Sequence, residues 1–283
     1  GSEMCIRDSI VPPRVQGKVI TTVHDLTYLR FPETMDRKNL KRIQKDIAYS
    51  IERSDRILTV SEFTKNELCN LLHVAENKVD VVYNAPALSN EIVDVETFLK
   101  RHEICKPYIL YVGTIEPRKN LIRLIQAYEK LKKENGIPHQ LVLAGGKGWN
   151  SEVIYSTIKQ YPDVLPIGYV SDAEKNALYQ AAELFVFPSL YEGFGIPPLE
   201  AMTFGCPVVS SNAASLPEVV GDAAELVDPM NTESIAKGMW KVLSDDLYRA
   251  ELAQKGYKQA KKFNWDDSAK KLMQICREVL EET

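Results

Sequence analysis

Two stretches of this 283-residue chain place charged side chains where an apolar strand gives way to a helix. The first is Gly113-Thr-Ile-Glu-Pro-Arg118-Lys119-Asn120. The second is Tyr191-Glu192-Gly193-Phe194-Gly195-Ile-Pro197-Pro198-Leu-Glu200. Together they supply two cations and two carboxylates. An arginine fork grips phosphate oxygens, and a lysine adds a compact second charge. A carboxylate accepts from vicinal hydroxyls and so fixes a ribose. Taken singly, Arg118-Lys119 reads as a solvated loop pair and Glu200 as a carboxylate complementing a helix dipole. The pair of motifs, in this order, asks for an anionic ligand rich in hydroxyls, such as a nucleoside-diphosphate sugar.

Breaking a sugar–diphosphate bond leaves negative charge on the departing phosphate, and stabilisation must be aimed there. An Asp-x-Asp at a strand end would hold a metal for this purpose, and none stands there. Arg118, Lys119 and a helix N-terminus are therefore expected to do the work, with no metal and no cofactor. Gly113 ends its strand where backbone must pass close to a ligand. Asn120 is expected to cap the following helix. The glycines at 193 and 195 permit close backbone approach, and Pro197-Pro198 suit the first helical positions. Glu200 is expected in the first turn of that helix. His24-Asp25 follow the strand Val19–Val23. His24 reads either as a contact to the donor sugar or as a structural histidine at a strand end. Asp25 reads as a base orienter, an acceptor contact or a turn residue. Arg37, Lys38, Lys41, Arg42 and Lys45 form a basic stripe at helical spacing, which suits anionic lipid or a phosphorylated acceptor but is more commonly a solvated face.

The elements that must position these residues alternate short apolar runs with amphipathic helices, the pattern of parallel α/β architecture. Strands are predicted at 18–23, 56–60 and 79–83, with helices over 36–53 and from the N-cap Ser61 to 72. A short polar helix within 92–106 reads as a linker. The alternation restarts with strands at 108–112, 141–144, 164–167, 184–187, 207–210 and 225–227. Ser171-Asp-Ala-Glu174 and Ser215-Leu-Pro-Glu218 match the capping box, and Gly205 sits at a helix C-terminus. Three helices close the chain, at 232–243, 247–262 and 265–282. This divides the chain into a partial first domain (1–104), a complete nucleotide-binding domain (105–264) and a closing helix (265–283) expected to pack back on the first. Three strands are few for a finished doubly wound sheet, so the first domain is expected to be incomplete.

Composition narrows the field. With 35 basic against 39 acidic residues and a net charge of −4, nucleic acid is not an expected partner. Five scattered cysteines (Cys5, Cys69, Cys105, Cys206, Cys276) and four scattered histidines suggest neither a disulfide framework nor a zinc site. No apolar run approaches the about 20 residues that span a bilayer. A cytoplasmic protein is expected, with peripheral membrane contact left open. Gly1-Ser2 has the look of an expression scar, and Glu3–Ser9 show no strand or helix pattern.

At these residues the chain resembles the retaining GT-B glycosyltransferases, in the large paired-glutamate group that uses sugars activated as GDP-mannose, UDP-glucose or UDP-N-acetylglucosamine. Glu192 to Glu200 carries the paired-glutamate motif, and Gly113 to Asn120 the phosphate-binding segment. His24-Asp25-Leu26, Val60-Ser61-Glu62-Phe63-Thr64, Val82-Tyr83-Asn84, Gly168-Tyr169-Val170-Ser171-Asp172 and Phe263-Asn264-Trp265 match as well. The resemblance is to the bacterial mannosyltransferase-like branch that builds polysaccharides. It implies two Rossmann-like domains with parallel sheets facing across a cleft, the N-terminal one incomplete. Arg118 and Lys119 would bind the diphosphate and Glu200 the ribose, with Tyr169 and Val170 beside the base. Glu192 with the backbone of Gly193, Phe194 and Gly195 would hold the donor sugar, and His24 would approach it. A hexose would move from a GDP- or UDP-linked donor to a glycan or lipid-linked acceptor by front-face attack, without a side-chain nucleophile. Members usually carry roughly a hundred further residues before the His-Asp strand. Their absence here makes a nucleotide-sugar-binding protein with weak or no transfer the alternative, and leaves self-association open as a way to cover exposed sheet.

Overall fold

Hydrophobic strands flanked by amphipathic helices build two parallel sheets, each within its own unit. The computed structural model describes residues 10–11 and 14–281. Residues 1–9, among them Cys5 and the leading Gly1-Ser2, lie outside the described residues, as does Glu282. One unit takes the described residues up to Ala85, the three residues Glu192–Phe194, and the chain from Phe263. The other takes Pro86–Tyr191 and Gly195–Lys262.

In the first unit β1 (Ile20–Val23), β2 (Arg56–Thr59) and β3 (Val79–Val81) pair in that order, all parallel. Between β1 and β2 run α1 (Thr27–Arg30) and α2 (Arg37–Arg53), and α3 (Glu62–Leu72) links β2 to β3. Side chains cap the starts of α2 and α3. Asp36 accepts from the Lys38 and Asn39 amides at 3.0 Å each. Ser61 Oγ accepts from the Thr64 amide at 3.0 Å, satisfying a donor that the first turn leaves orphaned. β1 starts two residues later than expected, because the Val19 amide is taken by Asp55 Oδ2 at 2.7 Å. Val23, Leu26, Ile47, Ile57, Leu68 and Val79 close one face of the sheet. Each such aliphatic side chain contributes about 1.5–3 kcal/mol by leaving water.

The second unit is richer. After α4 (Val95–Arg101) come β4 (Tyr108–Val112), α5 (Leu121–Asn135), β5 (Gln140–Ala144), α6 (Glu152–Ile158) and β6 (Val164–Gly168). Then follow α7 (Asp172–Ala181), β7 (Leu184–Phe187), α8 (Ile196–Thr203), β8 (Val208–Ser211), α9 (Leu216–Val220), β9 (Glu225–Val227), α10 (Thr232–Ser244) and α11 (Asp246–Ala260). The six strands are parallel and lie in the order β6-β5-β4-β7-β8-β9. β4 and β7 are buried throughout, as central strands covered on both faces must be. The chain winds outward from β4 to β6, then returns to β4's other side with β7. Loops after β4 and β7 therefore diverge, opening the kind of crevice in which doubly wound sheets hold ligands.

Two expectations about helix starts part company. Ser171 forms the full capping box with Glu174. Ser215 does not: it sits in the right-handed helical region (φ −76°, ψ −9°) and makes no side-chain capping bond. A cap needs extended backbone to reach the N2 or N3 amide, and Pro217 at N2 has no amide to offer. β8 runs from Val208 to Ser211, one residue later than expected at both ends. The last helix, α12 (Trp265–Glu281), belongs with the first unit. Ile275 and Val279 pack on Leu58 of β2, and Ser268 Oγ donates to the Tyr83 carbonyl at 2.6 Å. Among the described residues no helix is long and apolar enough to cross a membrane.

One buried group lies at the opposite end of the second sheet from those loops. His139, just before β5, is 6% exposed. Its Nε2 lies 3.3 Å from Glu183 Oε2, yet neither ring nitrogen makes a hydrogen bond of proper geometry. Burial lowers its pKa, outweighing the opposing pull of Glu183. A histidine depressed on folding favours the neutral form, so its contribution is present above the unfolded value and lost as pH falls below it. Urea melts should show stability declining as pH drops below 6.5, and His139→Leu should flatten that decline. An unchanged slope contradicts the assignment.

Candidate functional site

The loop after β4 is built around backbone contacts that exclude a side chain. The Gly113 amide donates to the Ala144 carbonyl at 2.9 Å, and Gly113 has φ +151°. Beside it Gly145, the residue after β5, has φ +153°, and a Cβ there would lie 1.9 Å from the Gly113 carbonyl oxygen. Residues 145–151 clamp the loop further. The Ile115 amide donates to Gly146 at 2.9 Å, and the Gly148 amide returns a bond to Ile115 at 3.0 Å. The buried Ser151 hydroxyl holds the Gly148 carbonyl at 2.9 Å. This pinned segment presents Trp149, which is half exposed.

Arg118 and Asn120 stitch that loop to the one after β7. Arg118 donates from Nη1 to the Tyr191 carbonyl at 2.6 Å and from Nη2 to Glu116 Oε1 at 2.8 Å. Its own carbonyl accepts from the Leu190 amide at 2.9 Å. Asn120 does not cap α5, contrary to expectation. It takes left-handed backbone (φ 62°, ψ 32°) without a side-chain capping bond. Its Nδ2 instead donates to the carbonyls of Pro188 at 3.0 Å and Pro229 at 2.7 Å, and Oδ1 accepts from Arg123. One amide thus ties the loops following β4, β7 and β9. Lys119 lies partly exposed between these two residues, its Nζ 5.3 Å from the Phe187 ring centre.

Glu200 is not in the first turn of α8 but is its fifth residue, and it is 3% exposed. The helix begins at Ile196, one residue ahead of the prolines, and this shifts the carboxylate inward. It is held by Lys175 Nζ at 2.7 Å on Oε1 and by the Tyr179 hydroxyl at 3.0 Å on Oε2. Burial and Glu200 together raise the Tyr179 pKa well above its usual value. Burial alone would lower that of Lys175; its bonds to Glu200 and Asp172 outweigh this and raise it. These partners, one ionic and one a hydroxyl donor, escaped sequence reading. Lys175 and Tyr179 stand one helical turn apart on one face of α7, but nothing local points to a glutamate beyond the next strand. Gly195, at φ +126°, has no room for a Cβ, which would meet Leu216 Cδ2 at 2.7 Å. At the end of β6, the Gly168 carbonyl accepts from the Gly145 amide at 2.7 Å. Next to it Tyr169 is exposed and Val170 buried.

The remaining predicted residues belong to the first unit. His24, at the end of β1, is exposed. Asp25 Oδ1 accepts from the Thr27 amide at 2.8 Å, the turn role among its three readings. Glu192 is half-buried. The Gly193 carbonyl accepts from Ser61 Oγ at 2.7 Å and Thr64 Oγ1 at 3.2 Å. A Cβ on Gly193 would lie 1.9 Å from the His24 carbonyl oxygen, so this glycine passes directly against the end of β1. The Phe194 ring is committed elsewhere, in an aromatic cluster with Tyr83 (centroids 6.0 Å) and Phe263 (5.5 Å). Only its backbone remains for a ligand. Arg37, Lys38, Lys41, Arg42 and Lys45 are exposed along α2. Among the described residues no three His, Cys, Asp or Glu side chains gather as a metal site.

Comparison with known proteins gives this arrangement a context. The family model for glycosyl transferases group 1 matches residues 95–259, and that for glycosyltransferase family 4 matches residues 11–88. O-antigen chain mannosyltransferase B of Escherichia coli is 36% identical over 270 residues, covering 91% of this chain and 69% of its own length. The serotype-specific mannosyltransferase WbdA of Escherichia coli is 31% identical over 272 residues, which is 92% of this chain but 33% of that protein. Among solved structures, sucrose-phosphate synthase from Thermosynechococcus elongatus superposes with a TM-score of 0.78 at 21% identity, over 95% of this chain and 70% of its own. The last is a likeness of fold.

The glycine contact behind the β4 loop is open to test. Gly145→Ala puts a methyl group 1.9 Å from the Gly113 carbonyl, and overpacking of this kind costs about 1–3 kcal/mol. Thermal unfolding should show a midpoint lower by several degrees. An unchanged midpoint means the two loops are not in the contact described.

Proposed function

The chain belongs to the group 1 glycosyl transferases, and from that premise we propose that it transfers a hexose, of mannose type, from a GDP- or UDP-linked donor to a glycan or lipid-linked acceptor with retention of configuration. The observation that carries this reading is the reversal of strand order between β4 and β7, with Lys119 on one flanking loop and Glu200 on the helix following the other. Mannose is favoured by the two mannosyltransferase relatives, and assembly of a polysaccharide follows from the same likeness.

On this reading Lys119 and the first amides of α5 take the diphosphate and offset the charge that grows as the glycosidic bond breaks. Arg118 spends two donors on the loops, which makes it the organiser of the phosphate site as well as a charge within it. Glu200 accepts the ribose hydroxyls, and Tyr169 with Val170 borders the base. Glu192 and the backbone of Gly193 to Gly195 hold the sugar, with His24 as a contact near the reacting carbon. The acceptor attacks from the face the diphosphate leaves, and a phosphate oxygen takes its proton. No carboxylate nucleophile is then needed, unlike in retaining glycosidases. We place the reaction without a metal, in the reducing interior of the cell where the free thiols of Cys69, Cys105, Cys206 and Cys276 persist. Peripheral contact with anionic lipid through the α2 stripe, and self-association, belong to the same proposal.

Calorimetric titration with GDP, UDP, ADP and TDP, without and then with magnesium, tests the donor site. One of the four should bind in the micromolar range in both conditions. Lys119→Ala and Glu200→Ala should each weaken it by about 10- to 100-fold, the worth of a hydrogen bond to a charged group. Affinity surviving both changes would place the donor elsewhere. Binding without transfer to any mannan-type acceptor would return the alternative, a nucleotide-sugar-binding protein.

A further inference from the structure

We propose that Lys175 is a positioning residue that sets the Glu200 carboxylate for two vicinal hydroxyls, and so gives the site its preference for a ribonucleotide over a deoxyribonucleotide. The inference rests on the reading of Glu200 as the ribose contact and deepens it.

A carboxylate at 3% exposure needs internal partners in place of the water it has lost. Glu200 has two internal partners, one on each oxygen: the Lys175 ammonium at 2.7 Å on Oε1 and the Tyr179 hydroxyl at 3.0 Å on Oε2. The Tyr179 donor is itself immobile. Its ring is fully buried, edge-on to Phe185 (5.4 Å) and stacked with Phe204 (6.2 Å). Lys175 is fixed from the far side by Asp172 Oδ1 at 3.1 Å, and Asp172 is largely in solvent. With one internal donor on each oxygen, the carboxylate cannot turn about its terminal torsion. Each oxygen keeps acceptor capacity, and two fixed acceptors match two adjacent hydroxyls.

Charge gives a second reason. A bare buried glutamate at the same sheet edge as Lys119 would repel the diphosphate it is meant to help bind. Lys175 cancels that charge locally while leaving the oxygens able to accept. A merely structural pair would do something else: it would join α7 to α8, and its loss would cost stability without altering which sugar is preferred.

Calorimetry with the tightest-binding nucleoside diphosphate, its 2′-deoxy counterpart and inorganic pyrophosphate separates these roles, with thermal unfolding run in parallel. The unsubstituted protein should prefer the ribonucleotide by about tenfold or more. Lys175→Met should reduce that preference to about twofold and also weaken pyrophosphate, which the uncompensated Glu200 charge then repels, and Lys175→Arg should restore most of both. Should Lys175→Met fail to fold, Tyr179→Phe removes the other internal donor at nearly constant volume and should compress the ratio in the same way. A folded Lys175→Met, or failing that Tyr179→Phe, that keeps the full ratio overturns the proposal. Glu200→Gln separates the two levels: a ratio lost there but kept in Lys175→Met refutes this inference alone. A ratio kept in Glu200→Gln refutes the ribose reading and this inference with it.

Discussion

The reversal of strand order at β4 governs the second domain. The chain builds outward through β5 and β6, then returns to β4 with β7, so the connections after β4 and β7 run in opposite directions. Such a divergence leaves backbone amides and helix starts facing one crevice. The same divergence exposes loop backbone that has to be satisfied. Asn120 meets that demand with one side-chain amide bonded to Pro188 and Pro229, and Arg118 with bonds to Tyr191 and Glu116. Gly113 and Gly145 lie back to back, so close that a Cβ at Gly145 would fall 1.9 Å from the Gly113 carbonyl oxygen. A motif that reads as ligand chemistry is, in large part, the fastening of its own loops.

Charge is handled in the same economical way. Glu200 is buried, and the Lys175 ammonium and the Tyr179 hydroxyl each hold one of its oxygens. Arg118 is balanced by Glu116. In a low-dielectric setting a half-satisfied group is costly, and both Arg118 and Glu200 are already paired once. Binding then asks for additional bonds, not for the rescue of an unpaired ion. The first domain shows a backbone version of this logic. Ser61 caps α3 and also donates to the Gly193 carbonyl, so one hydroxyl serves a helix start and a loop at once.

Much of this was legible in the sequence. Alternating apolar runs placed every strand within two residues, because buried parallel strands leave an unmistakable hydrophobic signature. Local side-chain chemistry placed the caps at Ser61 and Ser171. It failed at Ser215, where Pro217 removes an amide the cap would need, and at Asn120, which exchanges a local cap for bonds to residues far along the chain. Glu200 was expected in the first turn; the helix starts before the prolines, and the carboxylate moves inside. Lys175 was overlooked because its significance is tertiary: it lies on a neighbouring helix, 25 residues before its partner. The mutual packing of the Phe194, Tyr83 and Phe263 rings had no local signal, because it joins three segments far apart in the chain.

The central claim is that a nucleoside diphosphate lies where the loops after β4 and β7 diverge. A crystal structure of the protein with GDP or UDP bound tests it most directly. The account predicts diphosphate oxygens within hydrogen-bonding distance of Lys119 Nζ and the α5 amides, and ribose hydroxyls on both oxygens of Glu200 with Lys175 and Tyr179 still in place. A nucleotide bound away from this sheet edge, or a Glu200 whose oxygens face only protein, would contradict it.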